Sequence, residues 1–193
     1  MKIPHILLAT AASALGAVAA SAANPTATAS YTDTLLSPGE YQYNITLNNT
    51  GMAPIGVYWF SWVPGAGFLS PQPTNVMSPS GWTEQLTNTG AAILWMSSSS
   101  SLAGGGKLTG FSFDSTETPA EIAGMLMGVR ITTSYVYTQL PTPLNKQNLL
   151  ADGTKFVTTA ATSTHGVPEP ATLGLLGLSL AGMVLAWRRV GMS

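Results

Sequence analysis

Residues 171–187, ATLGLLGLSLAGMVLAW, contain no Asp, Glu, Lys, Arg, His, Asn or Gln. Wound as a helix, such a run rises roughly 25 Å at about 1.5 Å per residue, near the lower limit for crossing a bilayer core. An isolated strand there would leave its backbone groups unpaired in lipid, so helix is the only sensible state. The run is apolar on every side rather than along one stripe, which favours a membrane span over a buried C-terminal helix of a water-soluble body. Pro168 and Pro170 mark where the helix can begin. Trp187 sits where an interfacial aromatic belongs, and Arg188 and Arg189 hold that end in the cytoplasm. The sequence therefore predicts one transmembrane helix at about 171–187, and whatever folds in water must be built from the rest.

The other end of the chain matches this layout. Lys2 is followed by an apolar stretch from Ile6 through Val18, and Ala20-Ser21-Ala22-Ala23 offers the small residues that signal cleavage needs. Residues 1–23 read as a signal peptide cut after Ala22 or Ala23. Residues 24–159 read as an ectodomain, 160–166 as a linker, and 167–193 as a sorting and anchor segment.

Val167, Pro168, Glu169 and Pro170, then the apolar span, then Arg188 and Arg189, stand in an order that resembles the PEP-CTERM sorting signal of Gram-negative bacteria that make extracellular polysaccharide. The resemblance covers about 27 residues. It implies that a membrane-embedded exosortase recognises the tail in the periplasm, cleaves it, and releases or transfers the protein. It also implies a link to exopolysaccharide and biofilm matrix. The carboxylate of Glu169 would serve recognition, held in an extended backbone by the prolines on either side. Cargo domains of this family vary widely, so the resemblance leaves the ectodomain to be read from its own residues.

Between the two ends, Lys107, Arg130, Lys146 and Lys155 face seven carboxylates, a formal charge of −3. A sparse, mildly acidic surface argues against nucleic acid, which needs clustered Lys and Arg. Cysteine is absent, so an exported body must be held by its core alone, without thiol nucleophiles or thiolate metal sites. Richness in Thr, Ser, Gly, Tyr and Trp suits strands joined by polar turns. Glu40–Asn48 alternates strictly, with Tyr41, Tyr43, Ile45 and Leu47 on one face. Ile55–Val63 is apolar on both faces, as a strand covered on both sides would be. Further strands are predicted at 82–87, 91–96, 107–114 and 129–138, with an edge strand at 155–159. Residues 24–30 read as a loose leader, 68–81 as a long ordered loop and 97–106 as a flexible crossing. Thr118-Pro119-Ala120-Glu121 reads as a capped helical turn. The expected fold is mainly β: an antiparallel sandwich, immunoglobulin-like or jelly-roll.

Enzymatic chemistry finds little support in this sequence. His5 and His165 both lie outside the predicted body, so a Ser-His-Asp triad cannot assemble within it. Glu40, Glu84, Asp114, Glu117 and Glu121 supply carboxylates for glycoside hydrolysis, but nothing in their spacing favours a pair. Glu117 and Glu121 are expected in solvent beside the capped turn. Ca²⁺ on Asp114 and Glu117 has no Asp-rich loop behind it, and neither a metal nor a cofactor is expected. The aromatics Tyr58, Trp59, Trp62, Trp82 and Trp95 are either core or an exposed strip that stacks on sugars. The sequence thus predicts an exported structural protein of the cell surface or matrix, with no catalytic residues. Its partners would be the membrane, an exosortase and exopolysaccharide. The alternative is a carbohydrate-binding module using those aromatics, and a carboxylate-based glycoside hydrolase is more remote.

Overall fold

The alternating segment forms the expected strand, and its neighbours follow from it. A computed structural model describes residues 24–161; the signal peptide, Val167–Pro170, the span and Arg188–Arg189 lie outside the described residues. In chain order the elements are β1 (Ala27–Ser37), β2 (Glu40–Asn49), β3 (Val57–Phe60), β4 (Thr74–Met77), β5 (Trp82–Thr87), β6 (Ala92–Ser97), β7 (Lys107–Ser115), α1 (Pro119–Ile122), β8 (Met125–Leu126), β9 (Val129–Arg130), β10 (Thr133–Tyr137), α2 (Lys146–Asp152) and β11 (Thr154–Ala160). Among the described residues no helix is long and apolar enough to cross a membrane.

Nine strands form one sheet in the order β4-β7-β2-β1-β11-β10-β3-β6-β5, and β8-β9 form a separate small hairpin. The two edges, β4 and β5, are consecutive in the chain, so the sheet curls back on itself into nearly a barrel. The indole N–H of Trp95 donates to the Met77 carbonyl at 3.0 Å, and Ser78 hydrogen-bonds Glu84, which ties the two edges together. The sequence reading had two antiparallel sheets. The structure has one mixed sheet, because β1 and β11 pair in parallel.

Two strands were misread. Residues 24–30, expected as a leader, open β1, whose Ala27, Ala29 and Tyr31 are buried while its partners β2 and β11 bond it on both sides. The predicted edge strand at 155–159 is β11, which lies in the middle of the sheet. The loop at 68–81 contains β4, and α2 lies where the pattern weakened.

The interior is aromatic. Tyr43 stacks on Phe113 at 5.2 Å, Tyr58 on Trp95 at 5.4 Å, and Phe111 meets the edges of Tyr58, Trp82 and Trp95 at 5.2–5.5 Å. Such pairs each add about 0.5–1.5 kcal/mol beyond area burial. In β7, the strand predicted at 107–114, the period-two alternation breaks at Gly110, whose φ of +98° suits a bulge. The β2–β7 register shifts there, between Ile45 and Leu47. Leu108 therefore packs against the same core as Phe111, while Thr109, which unbroken alternation would put on the face of Phe111, is exposed.

Candidate functional site

The five candidate aromatics are all buried: Tyr58 0%, Trp59 6%, Trp62 5%, Trp82 6% and Trp95 0% exposed. In β3, Tyr58 and Phe60 point into the interior, and Val57 and Trp59 point to the outer face. Unbroken strand alternation would put Trp62 on the face of Tyr58 and Phe60. It stacks on Trp59 instead, with ring centroids 4.1 Å apart, because Ser61 adopts a left-handed φ of 56° that shifts the alternation by one residue. That conformation is costly for a non-glycine residue. Ser61 offsets the cost by donating its hydroxyl to the Ile131 carbonyl at 2.6 Å.

The outer face is itself covered. Trp59, Trp62, Leu94, Tyr135 and Tyr137 form a second cluster with Leu149 of α2. The Tyr137 hydroxyl donates to the Leu149 carbonyl at 3.1 Å, and the Trp59 indole donates to Thr87 Oγ1 at 2.7 Å. All five candidate rings are covered, so they form no strip on which a sugar ring could stack.

One cavity brings carboxylates together. It holds about 240 Å³ and is lined by Phe68, Ser70, Glu117, Glu121, Leu126 and Ile131. Glu121 behaves as its position predicts. Its carboxylate accepts from the Thr118 N–H at 2.7 Å and the Thr118 hydroxyl at 2.9 Å, closing a capping box on α1. Those bonds hold its pKa below the ordinary value. Glu117 departs from the expectation of a solvated side chain. It is half-buried, and Oε1 accepts from the Ser70 N–H at 3.0 Å while Oε2 is buried without a partner. Burial raises its pKa against the pull of the Ser70 bond, and the Glu121 charge raises it further. The cavity is smaller than the roughly 300–1,000 Å³ typical of ligand clefts. Glu121 is thus committed to its cap, and Glu117 to the Ser70 N–H through one of its two oxygens.

Asp114 and Glu117, the pair weighed for Ca²⁺, are engaged separately. Asp114 is 4% exposed, and its Oδ2 accepts from Asn75 Nδ2 at 2.7 Å. Among the described residues no group of three or more Asp, Glu, His or Cys side chains gathers.

The run Ser97–Ser101, read as a flexible crossing, is ordered. Ser98 N–H and its hydroxyl both donate to the Gly81 carbonyl, at 2.8 and 3.0 Å. With Gln139 and Leu140, the residues Ser97, Ser98, Ser99 and Ser101 line a groove of about 400 Å³. No ionisable group lines it. The sequence signal for this groove is the serine run at the start of the crossing predicted at 97–106.

No curated protein matches the chain. Residues 166–190 match the family model of the PEP-CTERM protein-sorting motif, enclosing Val167 to Arg189 as read above. The chain therefore carries a PEP-CTERM sorting motif, and with it the mark of an exported protein that passes through a membrane-anchored stage and is processed by an exosortase.

Proposed function

We propose that this chain is a structural protein of the cell surface or extracellular matrix, delivered through its sorting motif and associated with exopolysaccharide. The match over residues 166–190 carries the reading. It is anchored briefly in the inner membrane by residues 171–187, with the β body in the periplasm, until an exosortase removes the tail. Arg188 and Arg189 keep the far side of the span in the cytoplasm. The body contributes mass and shape rather than turnover. Its aromatics are spent on its two cores, its cavity carboxylates lack a matched partner, and His5 and His165 both lie outside the β body.

One observation favours a second reading, carbohydrate binding. The serine-lined groove presents hydroxyls and the Gln139 amide, groups suited to sugar hydroxyls, without the ring platform expected from the sequence. Titration of the protein with exopolysaccharide, read by calorimetry for the parent and for Ser99→Leu, separates the two. Binding lost in the variant supports the groove; no heat from the parent removes it.

The sorting reading is tested by expressing the chain in hosts with and without an exosortase. The mature mass should fall by the tail only in the first host. A chain truncated after Gly166 should leave the membrane fraction. An intact tail in the exosortase-bearing host, or a truncated chain that still fractionates with membranes, overturns the proposal.

A further inference from the structure

The sheet has two ends, and the exposed apolar residues are distributed unequally between them. β11 leaves the sheet at Ala160, level with Tyr31 of β1, and the Ala161 N–H donates to the Tyr31 carbonyl at 2.7 Å. Because β1 runs parallel to β11, it continues past the exit point to its turn with β2. That hairpin extends five to six residues beyond Tyr31, or roughly 17–20 Å at about 3.3 Å per residue. Its end carries Leu35 and Leu36, 58% and 47% exposed. The β8–β9 hairpin precedes β10 at the same end, where Thr133 pairs with Val157 three residues before the exit. It carries Met125, Leu126 and Met127, 65%, 36% and 80% exposed. These are two contiguous apolar runs. At the opposite end Met52, Leu144 and Leu150 are exposed singly.

The chain limits how far this end can stand from the anchor. The uncharged run opens at Ala171, ten residues after Ala161. Ten residues reach at most about 35 Å when fully extended. The β1–β2 hairpin already projects over half of that distance in the direction the chain leaves. If residues 171–187 are in the bilayer, the exit end lies within one short tether of the lipid. We propose that this end of the sheet rests on the membrane surface while the tail is anchored, with Leu35, Leu36, Met125, Leu126 and Met127 entering the interfacial layer. This rests on the anchor reading given above. Asp33 and Glu40 stand on the β1–β2 hairpin, Arg130 pairs with Met125, and Glu117 and Glu121 line the cavity that Leu126 closes, so acids outnumber bases beside these runs. The contact is therefore apolar rather than an attraction to anionic headgroups, and it holds on zwitterionic lipid.

The absence of cysteine makes the test site-specific. Leu36→Cys, Met127→Cys and, as the far-end control, Met52→Cys are each labelled with an environment-sensitive fluorophore. The mature chains, beginning at Asn24 and keeping the whole tail, are incorporated into phosphatidylcholine vesicles with and without brominated acyl chains. Labels at 36 and 127 should lose about half of their emission or more to the bromolipid, and the label at 52 should be unaffected. Flotation of the same vesicles reads the anchor independently. A chain that floats while positions 36 and 127 are quenched no more than 52 overturns the docking and leaves the anchor standing. A chain that does not float overturns both. If Met127→Cys chains instead form a disulfide-linked dimer in vesicles, and bromolipid leaves the label there unquenched, the occupant is a second copy and the proposal falls.

Discussion

Trp95 decides whether the aromatics are structural. Its side chain is fully buried, stacked on Tyr58 and edge-on to Phe111, and its indole N–H holds the Met77 carbonyl across the seam of the curled sheet. Trp95→Ala should cost about 3–5 kcal/mol, the range for emptying a buried aromatic site. For a body of about 140 residues, unfolding entropy is about 0.3 kcal/mol per degree, so the melting temperature should fall by about 10–17 °C. Trp95→Phe keeps a ring in the interior but removes the hydrogen bond and part of the volume. It should cost about 1–2 kcal/mol, or about 3–7 °C. Thermal melts of the full chain in detergent, followed by near-ultraviolet circular dichroism, measure both. A Trp95→Ala protein melting within about 3 °C of the parent would refute the packing assignment. Equal losses for Phe and Ala would show that the seam hydrogen bond, and not the stacked core, carries the energy.

A Cβ at Gly56 would sit 2.3 Å from the Thr138 carbonyl oxygen, which is backbone and cannot swing aside. Gly56→Ala should therefore cost about 1–3 kcal/mol by urea denaturation, while Gly67→Ala, with open space around it, should leave the midpoint nearly unchanged. Tyr58, Thr158 and Ser134 form a buried hydroxyl chain with contacts of 3.0 and 2.9 Å, and burial pushes the Tyr58 phenol up to about 12. Tyr58→Phe should cost about 0.5–1.5 kcal/mol, and Thr158→Val about 1–3 because it leaves a buried phenol unpartnered, both read from denaturant midpoints. Glu117 has a folded pKa above its unfolded value, so the folded state binds the extra proton. Its contribution is fully present below the ordinary Glu pKa and is lost as pH rises through the raised value. Glu117→Gln should flatten that decline in stability just above the ordinary carboxylate range, and an unchanged profile in urea midpoints against pH would refute it.

What the sequence made legible divides along a physical line. The alternation of Tyr41, Tyr43, Ile45 and Leu47 reports which side of β2 is buried, and three of those four side chains are fully interior. The pattern failed where one residue's backbone, rather than its polarity, set the phase. Ser61 at φ 56° moved Trp62 to the face of Trp59, and Gly110 did the same for Leu108. It failed again where burial comes from distant partners. Ala27 and Ala29 are weak strand formers, and only β2 and β11 on either side make them part of a sheet. The question left open in Ile55–Val63 was of this second kind. Both of its faces were legible as apolar, but the cover over Trp59 includes Leu149, some ninety residues away in sequence, which no local period encodes. The functional signal behaves in the opposite way. Residues 166–190 are recognised as a sorting motif from the order of their residues alone, an uncharged run beside Pro-Glu-Pro and ahead of an Arg pair. The part of the chain that states its destination is therefore readable without a fold. The body is legible only through the surfaces the curled sheet leaves uncovered, among them the serine-lined groove at one end and the apolar hairpins at the other.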